Sequence, residues 1–514
     1  MGSSRFSRRE RDLVCTLPKV LIAAVAVTSA GGVHAARWFG TSSISGQATV
    51  TSNASFQGSG SEQADVIIEA TPRVGFRAEG GRFSAGGSLA VTGYHYLARS
   101  ATDRLEPNAD VFARLEAIEN FFFIDSYLRI YQTFENPFAP QPAGASSINN
   151  QTSYEARVTP TVRGFVGSRL SYQLQSDLTF SARSGGSGDT DNTWASRNSA
   201  QVNYRPAPLG GGLSYERNDS TFEGSSVRRV TELGRVYVNY APTASLSFGV
   251  RYGYDSTNFP GFDQTYDVYG GQVSWRPSDR TDLSIVAEKR FFGNGWQASF
   301  VHRRPRLAWT IRSSRDVSTQ AQLFLNVPTT FDVAGLINAS LITRIPDPIV
   351  RARFVEDLIV SRGLPRTLQG SVNIYGDSVN LRQDSSAALT LFGVRNSVVF
   401  SVFYSKSEQL IVGSGGSVVP QPLQDNQQKG FGIGFNHELD QRTSLSAEAS
   451  LRNVSGLAAF DELESRQQTY QLRVIRRLGP RTTGTAGARF QNFTSNVTND
   501  SREVAAFAGF THEF

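Results

Sequence analysis

Cysteine occurs once, at Cys15, so no intrachain disulfide framework exists. Methionine also occurs once, as Met1. Lysine is confined to Lys19, Lys289, Lys406 and Lys429, and every other basic residue is arginine. Only Val20–Val27 begins to resemble an apolar run, and it is too short for a spanning helix, so a helical membrane protein is excluded. Catalytic signatures are missing too. The sequence has no H-E-x-x-H, no G-x-S-x-G, no G-x-x-x-x-G-K-[ST] and no CxxC. Beyond His34 the histidines are His95, His302, His437 and His512, with no metal-ligand spacing. Gly188–Asn192 is an acidic loop with an incomplete calcium pattern. No catalytic residue, metal site or cofactor is therefore expected, and the chain is not read as an enzyme.

What is present is glycine (47), phenylalanine (34) and tyrosine (17), in 514 residues of mean hydropathy −0.28. That is too aromatic for disorder and too long for one ordinary globular domain. Residues 1–35 form a separate unit. Arg5, Arg8, Arg9, Arg11 and Lys19 precede the apolar stretch, and Val33-His34-Ala35 offers a small-x-small cleavage site. We expect a secretory signal over 1–35 and a mature chain over 36–514. Half of the net charge of +6 lies in that leader, so the overall basicity is no evidence for nucleic acid as a partner.

The mature chain alternates with period two. Leu246, Phe248, Val250, Tyr252 and Tyr254 interleave with Ser247, Gly249, Arg251, Gly253 and Asp255. Similar runs occur at Phe122–Tyr131, Leu170–Phe180, Leu307–Arg312 and Ser444–Arg452. Each is a strand with one apolar and one polar face. They are longer than typical soluble strands. Aromatics mark their ends: Tyr204, Tyr240 and Trp275 on one side, Phe134 and Tyr254 on the other. Short turns alternate with longer loops, the latter including Ser220–Ser226, Thr257–Asp263 and Gly293–Gly295. The pattern predicts an all-β, antiparallel, up-and-down transmembrane β-barrel of about 22 strands (20–24) in the outer membrane of a Gram-negative bacterium. Outer-membrane lipid is then one partner. The barrel insertion machinery is another, reading Phe510 and Phe514 on the last strand; His512 departs from the usual aromatic or apolar pattern of that face.

Alternation fails between residues 316 and 376. Asp347–Gly363 reads as a helix, with Asp347 as N-cap, Pro348 at the first position and Gly363 as C-cap. Ile349, Val350, Phe354, Leu358 and Ile359 share its apolar face, and a weaker helical stretch spans Phe331–Arg344. This insertion is read as a self-packed outer loop, as an inward plug or gate, or as a partner-docking element. The polar strand faces carry Arg114, Arg129, Arg251, Arg312, Arg452, Arg473 and Arg489, the candidate lumen-facing residues. Such a ladder suits passage of an anionic or hydroxyl-rich polymer. It equally suits structural pairing with acids such as Glu116, Asp125 and Glu448.

Three segments carry a more specific likeness: Ala117–Gln132 running on to Asn136-Pro137-Phe138, Ile345–Leu358 followed by Gly363-Leu364-Pro365, and Leu389–Phe400. They resemble the PEP-CTERM system-associated outer-membrane protein family, in order and over most of the mature chain. That resemblance implies a β-barrel in an exosortase and exopolysaccharide setting, with polysaccharide and periplasmic export components as partners and no catalytic motif. A general diffusion porin for small solutes is the alternative; an outer-membrane enzyme or an adhesin is less favoured.

Overall fold

The computed structural model describes residues 36–134, 136–142, 150–184, 192–205, 208–222, 225–259, 262–318, 330–341, 345, 351, 354–355, 359, 367–371, 379–410 and 425–514. Residues 1–35, the expected leader, lie outside them, as does Gly188–Asp191 of the acidic loop.

Antiparallel strands make up nearly all of it: β1 (Arg37–Thr51), β2 (Asp65–Glu79), β3 (Phe83–Tyr96), β4 (Arg104–Ile118), β5 (Phe122–Phe134), β6 (Asn150–Val166), β7 (Leu170–Ser184), β8 (Thr193–Tyr204), β9 (Leu209–Phe222), β10 (Ser225–Thr243), β11 (Leu246–Phe259), β12 (Phe262–Ser278), β13 (Thr281–Arg290), β14 (Gly293–Arg304), β15 (Leu307–Ser318), β16 (Thr330–Asp332), β17 (Thr367–Gln369), β18 (Asn380–Phe392), β19 (Asn396–Gln409), β20 (Asn426–Glu438), β21 (Thr443–Gly456), β22 (Glu464–Arg477), β23 (Thr482–Ser495) and β24 (Ser501–Glu513). Each pairs with its neighbour in sequence, except that β15 pairs with β18. β16 and β17 form a separate two-stranded ribbon in the insertion between them. The other 22 strands form one sheet.

That sheet has no free edge. β1 pairs antiparallel with β24 from Ser43↔Glu513 to Thr51↔Ala505. The Phe514 amide donates to the Ser42 carbonyl (3.0 Å), extending the seam to the chain end. Closure satisfies the backbone groups that hydrocarbon would leave unpaired at several kcal/mol each.

The outer face is apolar where the period-two reading places it. Phe248, Val250, Tyr252 and Tyr254 stand exposed on β11 with Leu246 half-buried beside them, and Tyr470, Leu472 and Val474 stand exposed on β22. A continuous exposed apolar surface of this extent belongs against lipid. Aromatic side chains collect at the end of the wall that carries both termini. Tyr204, Tyr240 and Trp275 are exposed there, the Tyr240 and Phe248 rings lie 5.5 Å apart, and Trp38 lies 6.2 Å from Phe76. Turns at this end are tight. In the one between β20 and β21 the Asp440 carboxylate accepts the Arg442 and Thr443 amides (2.7 and 2.8 Å). Those bonds, chiefly the one from Arg442, hold its carboxyl below the usual range. A closed barrel with this outer belt and these rims is an outer-membrane protein.

Three loops expected to be long are not. β9 runs to Phe222 and β10 starts at Ser225; β11 runs to Phe259 and β12 starts at Phe262; β13 and β14 are separated by Phe291 and Phe292 alone. Beyond the bilayer both strand faces meet water, so alternation fades while backbone pairing continues.

Candidate functional site in the barrel lumen

On each strand, the residues opposite the lipid-facing set point into the lumen. On β19 the exposed Phe400 and Val402 face lipid, so Val399 and Ser401 face inward. Val399 is 0% exposed. It is covered by the insertion: Val333 and Ile337 of α1 (Val333–Ser340) pack with Val355, Ile359 and Val399 in one apolar cluster, which Ala334, Leu341 and Phe392 flank. Arg351 ties the second helical stretch to α1, donating to the Asn338 side-chain oxygen (2.7 Å) and the Ile345 carbonyl (2.8 Å). Among residues 347–363 the described ones, Arg351, Phe354, Val355 and Ile359, are helical. Phe354 is exposed; Asp347, Pro348, Leu358 and Gly363 lie outside the described residues.

The insertion leaves the wall at the end distant from the termini, after Ser318, and returns at Asn380. Val399, however, lies only three residues from the start of β19, at the terminal-bearing end. The helical pair therefore reaches down most of the lumen against an inward-facing wall residue.

A second element crosses the lumen. In the loop between β5 and β6, the Gln141 amide donates to the Gln467 side-chain oxygen (3.2 Å) and the Gln141 carbonyl accepts from Gln467 Nε2 (2.6 Å). The Arg452 guanidinium donates to both glutamine side chains, to Gln467 at 2.9 Å. β5 and β22 are separated around the wall by β23, β24 and β1–β4. Arg452 is 1% exposed because this loop covers it. Nothing local to residues 136–142 signals that contact, and sequence reading missed it.

The inward arginines divide into two kinds. Arg114 holds Asp125 in a two-pronged bond (2.6 and 3.0 Å), and Arg129 reaches Tyr127 (2.5 Å) and Asp110 (3.4 Å). Arg251 and Arg235 share Glu288 (2.8 and 2.7 Å). Arg489 holds Glu503 (3.1 and 2.9 Å), whose carboxylate also accepts from Thr51 (2.8 Å), so the group ties β23, β24 and β1 together at the seam. Arg312 and Arg473, by contrast, have no hydrogen-bond or ion-pair partner among the described residues. Of the proposed acids, Asp125 pairs as expected, while Glu116 instead accepts the Asn120 amide (2.5 Å).

Between wall and insertion lies a chamber of about 1180 Å³, lined by strands β7–β11, β13–β15, β18 and β19 and by Gly370 and Ser371 of the insertion. Four of its five carboxylates are held by arginines: Glu216 by Arg197 (2.7 Å), Glu288 by Arg235 and Arg251, Asp384 by Arg382 (2.6 Å) and Asp316 by Arg290 (2.5 Å); the fifth, Asp177, accepts from Thr159 and Gln175. Seven arginines line it against those five carboxylates, with Arg312 and Arg315 outside any ion pair among the described residues, so the chamber is cationic, with serine, glutamine and asparagine between the charges. Among the described residues no three His, Cys, Asp or Glu side chains gather as a metal site would require. Phe510 and Phe514 are exposed on the lipid side of β24, and the His512 ring meets Phe514 edge-on at 5.1 Å while its Nδ1 pairs with the Thr482 hydroxyl (2.8 Å).

No protein-family model and no curated protein matches the sequence. Solved structures do match. The siderophore receptor PirA from Pseudomonas aeruginosa is 9% identical, with 92% of this chain and 80% of that chain covered and a TM-score of 0.43. The FrpB iron transporter from Neisseria meningitidis (F3-3 variant) is 9% identical over 92% and 82%, with a TM-score of 0.47. The outer membrane protein opdK from Pseudomonas aeruginosa is 9% identical over 94% and 100%, with a TM-score of 0.34.

Proposed function

We propose that the barrel serves export or surface assembly of an exopolysaccharide, through a lumen held closed at rest. The observation that carries this reading is the polar, arginine-bearing chamber enclosed between the wall and the insertion that packs on Val399. A polymer rich in hydroxyls or carboxylates exchanges hydrogen bonds along such a wall, and arginine forks meet carboxylates in pairs. The sequence resemblance to the PEP-CTERM system-associated barrels supports the same setting, with periplasmic export components as partners. A general porin fits less well, because a diffusion pore needs an unobstructed channel and the insertion occupies this one. The test is deletion of the gene followed by measurement of surface polysaccharide. Loss or periplasmic retention of the polymer is expected; an unchanged surface layer overturns the proposal.

A further inference from the structure

Phe112 breaks the rule of its own strand. On β4 the lipid-facing set is Ala109, Val111 and Ala113, and the inward set is Asp110, Phe112 and Arg114. Register fixes this assignment, since Val111 lies opposite Leu128 and Phe112 opposite Tyr127. A phenyl ring on the watery side gains nothing from lipid, yet Phe112 is 48% exposed there. The position facing it on β3 is Gly86, where a Cβ would stand 3.0 Å from the ring. The glycine lets the ring lie down across the wall instead of projecting from it.

This ring borders a pocket of about 550 Å³. Sites for small ligands span about 300–1,000 Å³. The charges around it are unequal. Arg114 and Asp125 satisfy each other. Asp177 accepts from Thr159 (2.7 Å) and Gln175 (3.1 Å). Arg157 lies over the Tyr127 ring at 5.6 Å and has no carboxylate within ion-pair distance among the described residues. A guanidinium stacked on a ring keeps its N–H edge free. Gln175, Asp177 and Arg197 line both this pocket and the chamber, so one opens into the other.

We propose that this pocket is a subsite for one unit of an acidic saccharide. A pyranose ring has an apolar C–H face and a hydroxyl rim. The face suits the Phe112 ring, the rim suits Gln175 and Asp177, and a ring carboxylate suits the open fork of Arg157. The inference rests on the export reading and names the chemistry of its cargo.

The test uses the full mature barrel in detergent, titrated calorimetrically with tri-galacturonate and with maltotriose. The acidic trimer is expected to bind about tenfold more tightly, as a charge-assisted pair implies. Phe112→Ala weakens both probes about tenfold through loss of the aromatic platform. Arg157→Gln removes the preference, bringing the two probes to equal affinity. Phe112→Leu, which keeps apolar volume without a ring, repeats the loss if Phe112→Ala does not fold; heat-modifiable gel migration reports folding. Binding of neither probe, equal affinities in the unaltered barrel, or full affinity in the folded Phe112 variant overturns the subsite. If binding fails while gene deletion still abolishes surface polysaccharide, the subsite falls and export stands. If binding holds while deletion has no effect, export falls.

Discussion

At the scale of single residues, parity carries most of the meaning. A charged side chain on the inward face of a strand is excluded from lipid by the same backbone period that sends its apolar neighbours outward. That is why Arg129, Arg251 and Arg489 could be placed on the lumen side from sequence alone. What parity cannot give is the partner. Glu503 sits on β24 and Thr51 on β1, at opposite ends of the chain, and only closure brings them to Arg489. Phe112 escaped notice for a related reason: an apolar residue among polar ones on one parity reads as noise until the register shows which side is wet. The seam group yields a prediction. Glu503→Gln strands the buried Arg489 charge and should lower resistance to urea unfolding by about 3–5 kcal/mol, whereas Arg489→Met with Glu503→Leu should cost much less. Equal losses in the single and double variants would show that the ion pair does not hold the seam.

At the scale of elements, strands were legible and their outer ends were not. The apolar–polar alternation that marks β11 exists because one face meets hydrocarbon. Past the bilayer the hairpins at Phe222–Ser225 and Phe259–Phe262 continue as paired backbone with no such signal. The insertion shows a different limit. Its helical character was readable from Ile337 and Ile359, but an apolar helix face does not say what covers it. The structure supplies Val399 as the cover. Because the sequence has one cysteine, Cys15, and none over residues 36–514, the barrel is a clean background for cross-linking. The double variant Ile337→Cys/Val399→Cys should be joined by a short bis-maleimide in intact outer membranes, and a shifted band after proteolysis between the two positions would show it. No cross-link in folded protein would place the helix away from the wall.

At the scale of the whole molecule, the closed sheet explains several facts together: the even number of barrel strands, both termini at one end, and an apolar exterior around a polar interior. Two elements, the helical insertion and the loop carrying Gln141, pack on inward-facing residues of the wall, Val399 and Gln467, and on the proposed reading they narrow the interior. The account therefore depends on the barrel being shut at rest. Single-channel recording in planar bilayers tests this most directly, comparing the mature barrel with a variant in which residues 330–371 are replaced by a short glycine–serine linker and whose folding is checked by heat-modifiable migration. The account predicts little or no steady current through the intact barrel and a large, stable conductance through the variant. A large steady conductance through the intact barrel would contradict it.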